Sequence, residues 1–243
     1  MLTAMNSGDT AWMLIATVLV FLMVPGLAIF YGGLTRKEEL PRIFTVFWTV
    51  ASLVILQWIF FGYSLAFGPD HNGWIGTLSW AGLRGVGTEP NLQYAGTTPH
   101  FAFVIYQGMI AVLTPAIFIG AFSRRITFGS LCLFTILWTT LVYDPIAHWV
   151  WAVGGFLRTS GMLDFSGGAV VHLNAAISAL AISLVLGKSD DDLSAELRSS
   201  APPLVFLGAT ILWFGWFGLA GGSALSAGAA ASSALVATLI AGS

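Results

Sequence analysis

Residues 10–34 read TAWMLIATVLVFLMVPGLAIFYGGL, a stretch that contains no charged side chain. The hydrocarbon core of a bilayer is crossed by about 20 apolar residues of helix, so this stretch predicts a transmembrane helix. The residues before it lack the basic segment that opens a signal peptide, which favours a retained helix. Further stretches of this kind are Ile43–Phe67, Pro99–Phe122, Ile126–Tyr143, Phe165–Gly187 and Ser199–Ser243. The last is too long for one helix and is divided at Gly221 and Gly222, so the sequence predicts seven helices.

The composition supports this interpretation and excludes several other classes of protein. Of the 243 residues, 57% are apolar and only 8% are charged, whereas about 25% are charged in a typical soluble domain. A net charge of −2 gives no basic surface for nucleic acid. The single cysteine, Cys132, and the absence of a Cys/His cluster in the sequence predict neither a metal nor another cofactor. We therefore expect an all-α membrane protein, a bundle of transmembrane helices.

The basic residues predict how the bundle is oriented. Seven of them fall in alternate loops on one side, and two fall on the other side. The first group is Arg36, Lys37, Arg42, Arg124, Arg125, Lys188 and Arg198, and the second is Arg84 and Arg158. Basic loops stay in the cytoplasm, so we expect a multi-pass protein of the cell membrane whose N-terminus lies outside.

His172 is a polar residue inside an apolar stretch. Its neighbours on one helical face are all small: Gly168, Ala175, Ala176, Ala179 and Ser183. Polar groups in a membrane face protein or a cavity. Two interpretations stay open: a core histidine bonded to a backbone carbonyl, or a histidine that lines a narrow pore.

Aromatic and acidic residues cluster between the fourth and fifth helices. Trp149 and Trp151 fit an aromatic belt at the membrane surface, or a cation–π surface at an external entrance. Asp164 precedes the fifth helix and predicts an N-cap. Asp144, followed by proline, predicts the end or a kink of the fourth helix.

Five separated segments carry further information, in order along the chain: Pro25–Gly33 (PGLAIFYGG), Phe61–Gly68 (FGYSLAFG), Tyr143–Trp151 (YDPIAHWVW), Asp164–Asn174 (DFSGGAVVHLN) and Trp213–Gly218 (WFGWFG). Together they resemble the motifs of the ammonium transporter family (Amt/Mep/Rh), and the match runs from about Asp9 to the end of the chain.

The resemblance implies a fold of eleven helices in two inverted halves, assembled as a homotrimer with one pore per subunit. Residues 1–243 would form an incomplete ammonium-transporter-like transmembrane domain with about seven of those helices. The first inverted repeat would cover about 9–187 and the second would start at about 200–243. The implied partners are ammonium or ammonia, the lipid bilayer and a cytoplasmic regulatory protein.

The resemblance also implies roles for individual residues. Trp151 and Ser223 would recruit ammonium at an external site, Tyr106 would lie beside the entrance, and His172 would be one of two pore histidines. The family's paired phenylalanine gate is replaced here by Ile110 and Leu219, which would line the pore. Ala220 stands where an asparagine is common. The second pore histidine would lie beyond helix seven, in a half that this chain lacks.

These expectations suggest a mechanism and leave rival functions to be tested. A bare cation in an apolar interior costs tens of kcal/mol by the simple Born figure, so the physically cheap route binds ammonium outside and conducts neutral ammonia past His172. One alternative is an ammonium sensor with little transport. Another is an intramembrane serine protease with Ser223 as nucleophile and His172 as base. A retinal-type receptor is excluded because no lysine lies in the last helix.

Overall fold

The chain folds into a bundle of membrane-spanning helices. The computed structural model describes residues 5–187 and 201–243. Within these ranges, six helical segments are long and apolar enough to cross a membrane: Ser7–Gly33, Lys37–Phe67, His100–Gly120, Phe128–Thr159, Gly168–Leu186 and Pro202–Gly222. The predicted seventh segment is present as the shorter apolar helix Ala229–Gly242. Lys188, Arg198 and the predicted helix start at Ser199 lie outside the described residues.

The bundle is made of ten α-helices among the described residues. They are α1 (Ser7–Gly33), α2 (Leu40–Gln57), α3 (Tyr63–Phe67), α4 (His100–Phe122), α5 (Phe128–Trp138), α6 (Asp144–Trp151), α7 (Phe156–Thr159), α8 (Asn174–Leu186), α9 (Pro202–Gly222) and α10 (Ala229–Gly242). Single π-helical turns join α2 to α3 (Trp58–Gly62), join α5 to α6 (Thr139–Tyr143) and lead into α8 (Gly168–Leu173).

Two small antiparallel hairpins cover one end of the bundle. Strand β1 (Asp70–His71) pairs with β2 (Ile75–Gly76), and β3 (Pro90–Asn91) pairs with β4 (Ala95–Pro99). The start of α1 lies at the same end, because the amide of Asn6 donates to the carbonyl of Thr97 at 2.8 Å. We call this the hairpin end.

Basic residues of the predicted cytoplasmic loops meet at the opposite end. Arg42 donates to the carbonyls of Ser123 and Ile126 at 3.1 and 3.2 Å. Arg125 donates to the carbonyls of Leu186 and Gly187, at the end of α8. The loops after α1 and α4 and the end of α8 are therefore at one end of the bundle, as the alternation of basic residues predicts.

Of the two alternatives predicted for Asp144, a helix end or a kink, the helix end is wrong. The helix passes through the π-turn before Asp144 and continues as α6 to Trp151. A π-turn leaves carbonyls without their α-helical partner, so Pro145, which lacks an N–H, is accommodated directly after it. Asp144 is fully buried, and its Oδ2 accepts a hydrogen bond of 2.6 Å from the Gln57 amide.

Helices α1 and α9 make the closest contact in the bundle. Gly208 and Gly215 of α9 lie against the α1 backbone and the Met23 side chain, where an added Cβ would clash. Small residues let helices in a membrane approach to this distance. The contact fixes α9 beside α1, and α4 packs against both α1 and α2.

Candidate functional site

A cavity of about 520 Å³ opens at the hairpin end of the bundle. We call it the vestibule. Its walls come from α3, α4, α6 and the links around them, and they are formed by Phe67, Gln93, Tyr94, Phe103, Gln107, Ile110, Val150, Trp151, Arg158, Gly161, Met162, Leu163, Asp164, Phe165, Ser223 and Leu225. The vestibule therefore brings together Trp151, Ser223, Asp164 and Ile110, which the sequence had singled out.

Trp151 is the last residue of α6, and its indole is held by hydrogen bonding. The indole Nε1 donates to the carbonyl of Asp164 at 2.9 Å. The carbonyl of Trp151 in turn accepts a hydrogen bond from the Arg158 guanidinium. With its backbone and its ring both bonded, the ring keeps one orientation on the vestibule wall.

The Asp164 carboxylate accepts four backbone hydrogen bonds at the start of the helical segment that leads into α8. Its Oδ1 accepts from the amides of Gly167 and Gly168, both at 2.7 Å, and its Oδ2 accepts from Ala169 and Val170, both at 2.9 Å. These amides carry the positive end of the helix dipole, so they compensate the carboxylate charge. Asp164 thus caps this segment and, through its carbonyl, orients Trp151.

Ser223 lies on the wall directly after α9, and its hydroxyl is oriented from behind. Its Oγ donates to the carbonyl of Leu219 at 2.7 Å. The hydroxyl of Tyr106 donates to the same carbonyl at 2.7 Å and lies 3.2 Å from the Ser223 Oγ. Tyr106 and Leu219 are both completely buried. Tyr106 therefore supports Ser223 from the protein side, and the serine oxygen keeps acceptor capacity toward the vestibule.

Gln107 is a wall residue that the sequence reasoning missed. Its side chain is 8% exposed, and its Oε1 has no hydrogen-bond partner within residues 5–187 and 201–243. A buried polar atom without a partner is costly, and the side chain that carries this atom lines the vestibule. The signal was available: Gln107 is an uncharged polar residue inside an apolar stretch, as His172 is.

His172 lies outside the vestibule wall, in the π-turn that leads into α8. Its ring stacks on the indole of Trp216, with centroids 5.2 Å apart and an interplanar angle of 20°. Trp216, on α9, is 40% exposed, and the sequence reasoning did not name it. The pair therefore lies at the surface of the described chain, beside the exposed apolar residues of α8: Ile177, Leu180, Leu184 and Val185.

His148, on α6, contacts the end of α3 and strand β1 through hydrogen bonds. Its Nδ1 lies 3.0 Å from the carbonyl of Ala66, and its Nε2 lies 2.8 Å from Oδ1 of Asp70. Both partner oxygens are hydrogen-bond acceptors, so the ring is oriented through both of its nitrogens. Trp149 extends the connection by donating from Nε1 to the carbonyl of Trp74 at 2.7 Å.

The geometry does not form the pair that a serine protease needs. The Ser223 hydroxyl contacts Leu219 and Tyr106, whereas the His172 ring contacts Trp216. A nucleophilic serine has its base within hydrogen-bond reach. What the vestibule offers instead is an aromatic ring and neutral oxygen atoms around a small space.

The fold and the site define a multi-pass membrane protein with an aromatic vestibule at one end. Comparison with known proteins then identifies the family. The model of the Ammonium Transporter Family matches residues 11–243, and the chain belongs to this family. Its members are transporters rather than enzymes.

Two relatives show how far the similarity extends. The chain is 45% identical over 222 residues to an ammonium transporter of Bacillus subtilis, a match that covers 91% of this chain and 54% of the relative. It is 47% identical over 237 residues to a putative ammonium transporter of Methanothermobacter thermautotrophicus, covering 96% of this chain and 56% of the relative. The chain thus spans about half the length of the relatives it matches.

Solved structures agree with this fold. The crystal structure of Candida albicans Mep2 superposes with a TM-score of 0.87 at 34% identity, over 98% of this chain and 52% of that one. Saccharomyces cerevisiae Mep2 gives a TM-score of 0.81 at 36% identity, over 92% and 50%. A sensor Amt protein at 24% identity, with a TM-score of 0.85, shares the fold.

Proposed function

We propose that the protein carrying this chain transports ammonium or ammonia across the cell membrane and recruits the cation in the vestibule. The observation that carries the proposal is the convergence of the Trp151 ring, the Ser223 hydroxyl and the Gln107 side chain on one cavity, in a chain of this family. The names of the Bacillus subtilis and Methanothermobacter relatives support ammonium as the substrate.

The recruitment site combines two kinds of attraction. The face of Trp151 attracts a cation through its π-electrons, and an indole is the best side chain for this. Ser223 Oγ accepts a hydrogen bond, and the Gln107 side-chain amide, when it is turned toward the cavity, offers a second acceptor oxygen. Ammonium has four N–H groups to donate. Tyr106 keeps Ser223 in place rather than touching the cation, and Asp164 keeps Trp151 in place.

Beyond the vestibule the path becomes apolar. Ile110, on the vestibule wall, and Leu219, behind it, are both buried, and a bare cation would lose its solvation beside them. The cation therefore releases a proton before passage, and neutral ammonia continues. His172 then supplies a hydrogen-bonding group that carries no fixed charge.

The complete protein extends this arrangement. We propose that residues of about 9–187 form the first inverted repeat, that the second starts at about 200–243, and that the substrate path lies between the repeats. We further propose a homotrimer in the cell membrane with the N-terminus outside and a regulatory protein on the cytoplasmic side. In this arrangement His172 of the first repeat and Trp216 of the second face the remainder of the second repeat.

Growth of cells that lack their own ammonium transporters tests the proposal. The full-length protein should restore growth on limiting ammonium. The Trp151→Leu variant should restore growth only at higher ammonium, and the matched Trp149→Leu variant should behave like the unaltered protein. No rescue by the correctly inserted full-length protein would contradict transport and would favour the alternative of an ammonium sensor.

A further inference from the structure

Arg158 places a positive charge on the wall of the cavity that is proposed to bind a cation. Arg158 belongs to α7, is exposed, and lines the vestibule. In the described part of the chain, Asp164 is the one other charged residue on that wall. Because like charges repel each other, the arginine opposes the binding that the ring of Trp151 favours.

The guanidinium of Arg158 lies beside the proposed binding site. It donates a hydrogen bond to the carbonyl of Trp151, the residue whose ring would contact the cation. Its charge also reaches Tyr94 on the same wall. Burial raises the pKa of the Tyr94 phenol, whereas a hydrogen bond from the Val153 amide and the charge of Arg158 act to lower that pKa. The charge therefore acts on the vestibule as well as on the surrounding solvent.

The carboxylates near Arg158 are engaged by other groups. The Asp164 carboxylate accepts hydrogen bonds from four backbone amides, at the positive end of a helix dipole. The Asp70 carboxylate accepts from the ring of His148 and from the amide of Gly73. Within residues 5–187 and 201–243, Arg158 forms no ion pair with a carboxylate. Its positive charge is thus available to act on a cation in the vestibule.

We propose that Arg158 sets the affinity of the vestibule for ammonium: its charge repels the cation, so the protein works at higher ammonium concentrations than the same cavity without this charge. The inference rests on the proposed function and adds a residue that tunes it. Charges in water are screened over about 30 Å at 0.01 M salt and about 8 Å at 0.15 M. The repulsion is therefore strongest at low salt.

The test varies the charge at this position in the full-length protein. Arg158→Lys keeps the charge, Arg158→Gln removes it and Arg158→Glu reverses it. The half-saturating ammonium concentration for uptake into proteoliposomes is measured in N-methylglucamine chloride at about 0.01 M and about 0.15 M. At low salt we expect this concentration to fall about twofold to fivefold in Arg158→Gln, as for exposed charge pairs, and further in Arg158→Glu. The change should be smaller at the higher salt concentration, and Arg158→Lys should stay closest to the unaltered protein.

A purely structural role predicts a change in the opposite direction. If Arg158 only held Trp151 in place, Arg158→Gln and Arg158→Glu would disturb the ring and raise the half-saturating concentration. An unchanged or raised value in both variants, with normal uptake by the unaltered protein, would overturn the inference and leave the proposed function intact. Absence of ammonium uptake by the unaltered protein would overturn both.

Arg84 provides the control, because it is also an exposed arginine at the hairpin end, in the loop before β3, but is not a wall residue of the vestibule. Arg84→Gln changes the net charge of the protein as Arg158→Gln does, and it should leave the half-saturating concentration unchanged. An equal fall in the two variants would show that net charge rather than the position of Arg158 is responsible, and would also overturn the inference.

Discussion

At the scale of single residues, the vestibule is built by groups that orient other groups. The Asp164 carboxylate accepts hydrogen bonds from four backbone amides, and the Asp164 carbonyl accepts one from the Trp151 indole. The Tyr106 hydroxyl donates a hydrogen bond to the Leu219 carbonyl, beside Ser223. The side chains that remain available to a guest are the ring of Trp151, the amide of Gln107 and the hydroxyl oxygen of Ser223.

Replacing Trp151 with leucine should weaken capture of the cation. The cation–π interaction is worth about 0.5–2 kcal/mol, which corresponds to roughly a twofold to thirtyfold change in affinity. The measurement is the ammonium concentration that gives half-maximal uptake. Uptake reduced by the same factor at every concentration would instead indicate misfolding or a blocked path.

Replacing Gln107 with leucine should change the affinity for ammonium and the thermal stability of the protein in different ways. The unpartnered Oε1 costs the empty protein about 1–3 kcal/mol, so its removal should not lower the unfolding temperature, while the affinity for ammonium should fall. Thermal unfolding in detergent and uptake kinetics measure the two quantities. A lower unfolding temperature with unchanged affinity would show that Gln107 has a structural role only.

At the scale of helices and loops, the hydrophobic pattern located the helices well, because a bilayer requires a long uncharged stretch for each crossing. It could not locate the three π-turns, since a π-turn inserts into a helix without interrupting its apolar character. For this reason the sequence left open whether Asp144 marks a helix end or a kink, whereas it lies within a continuous span directly after a π-turn.

The site was predictable only in part. Family motifs named Trp151, Ser223 and Asp164, which the fold brings to one cavity. Gln107 was missed although it is a polar residue inside an apolar stretch, and the coordinates add that its Oε1 has no partner among the described residues. The stacking of His172 on Trp216 joins two distant helices, and no local pattern predicts such a contact.

The hairpin end should depend on Asp70. It accepts from the ring of His148 at 2.8 Å and from the amide of Gly73 at 2.8 Å. Asp70→Ala leaves a buried His148 nitrogen without its partner, which costs about 1–3 kcal/mol. We expect a lower unfolding temperature and faster proteolysis near β1 and β2. The exposed Glu89→Ala variant in the same segment is the control, and equal behaviour of the two variants would refute the role of Asp70.

At the scale of the whole molecule, one end of the described chain is covered by loops, and one side exposes large apolar side chains. The hairpin end is covered by loops that are hydrogen-bonded to one another. By contrast, α8 exposes a row of large apolar side chains, and His172 and Trp216 lie at the surface next to them. This agrees with a chain that spans about half the length of its relatives.

Residues 1–243 alone should not transport ammonium. They supply one wall of the proposed path, and His172 would face lipid, where an unsatisfied polar group is costly. The helices should still insert, because insertion depends on the hydrophobicity of each segment. Rescue of growth on limiting ammonium by this chain alone would contradict the prediction and would indicate that two copies close a path together.

The orientation in the membrane should place the hairpin end outside. In a background without Cys132, a cysteine introduced at Gln93, near the vestibule, should react with an impermeant reagent added to intact cells. A cysteine introduced at Glu38, between α1 and α2, should not react. The reverse pattern would invert the topology and place the vestibule in the cytoplasm.

We propose above all that the vestibule captures ammonium for transport. The most direct measurement is ammonium uptake into proteoliposomes containing the full-length protein, unaltered or with Trp151→Leu and Gln107→Leu combined, over a range of concentrations. We expect saturable uptake by the unaltered protein and a half-saturating concentration at least several times higher in the double variant. Equal half-saturating concentrations, or uptake no faster than in liposomes without protein, would contradict it.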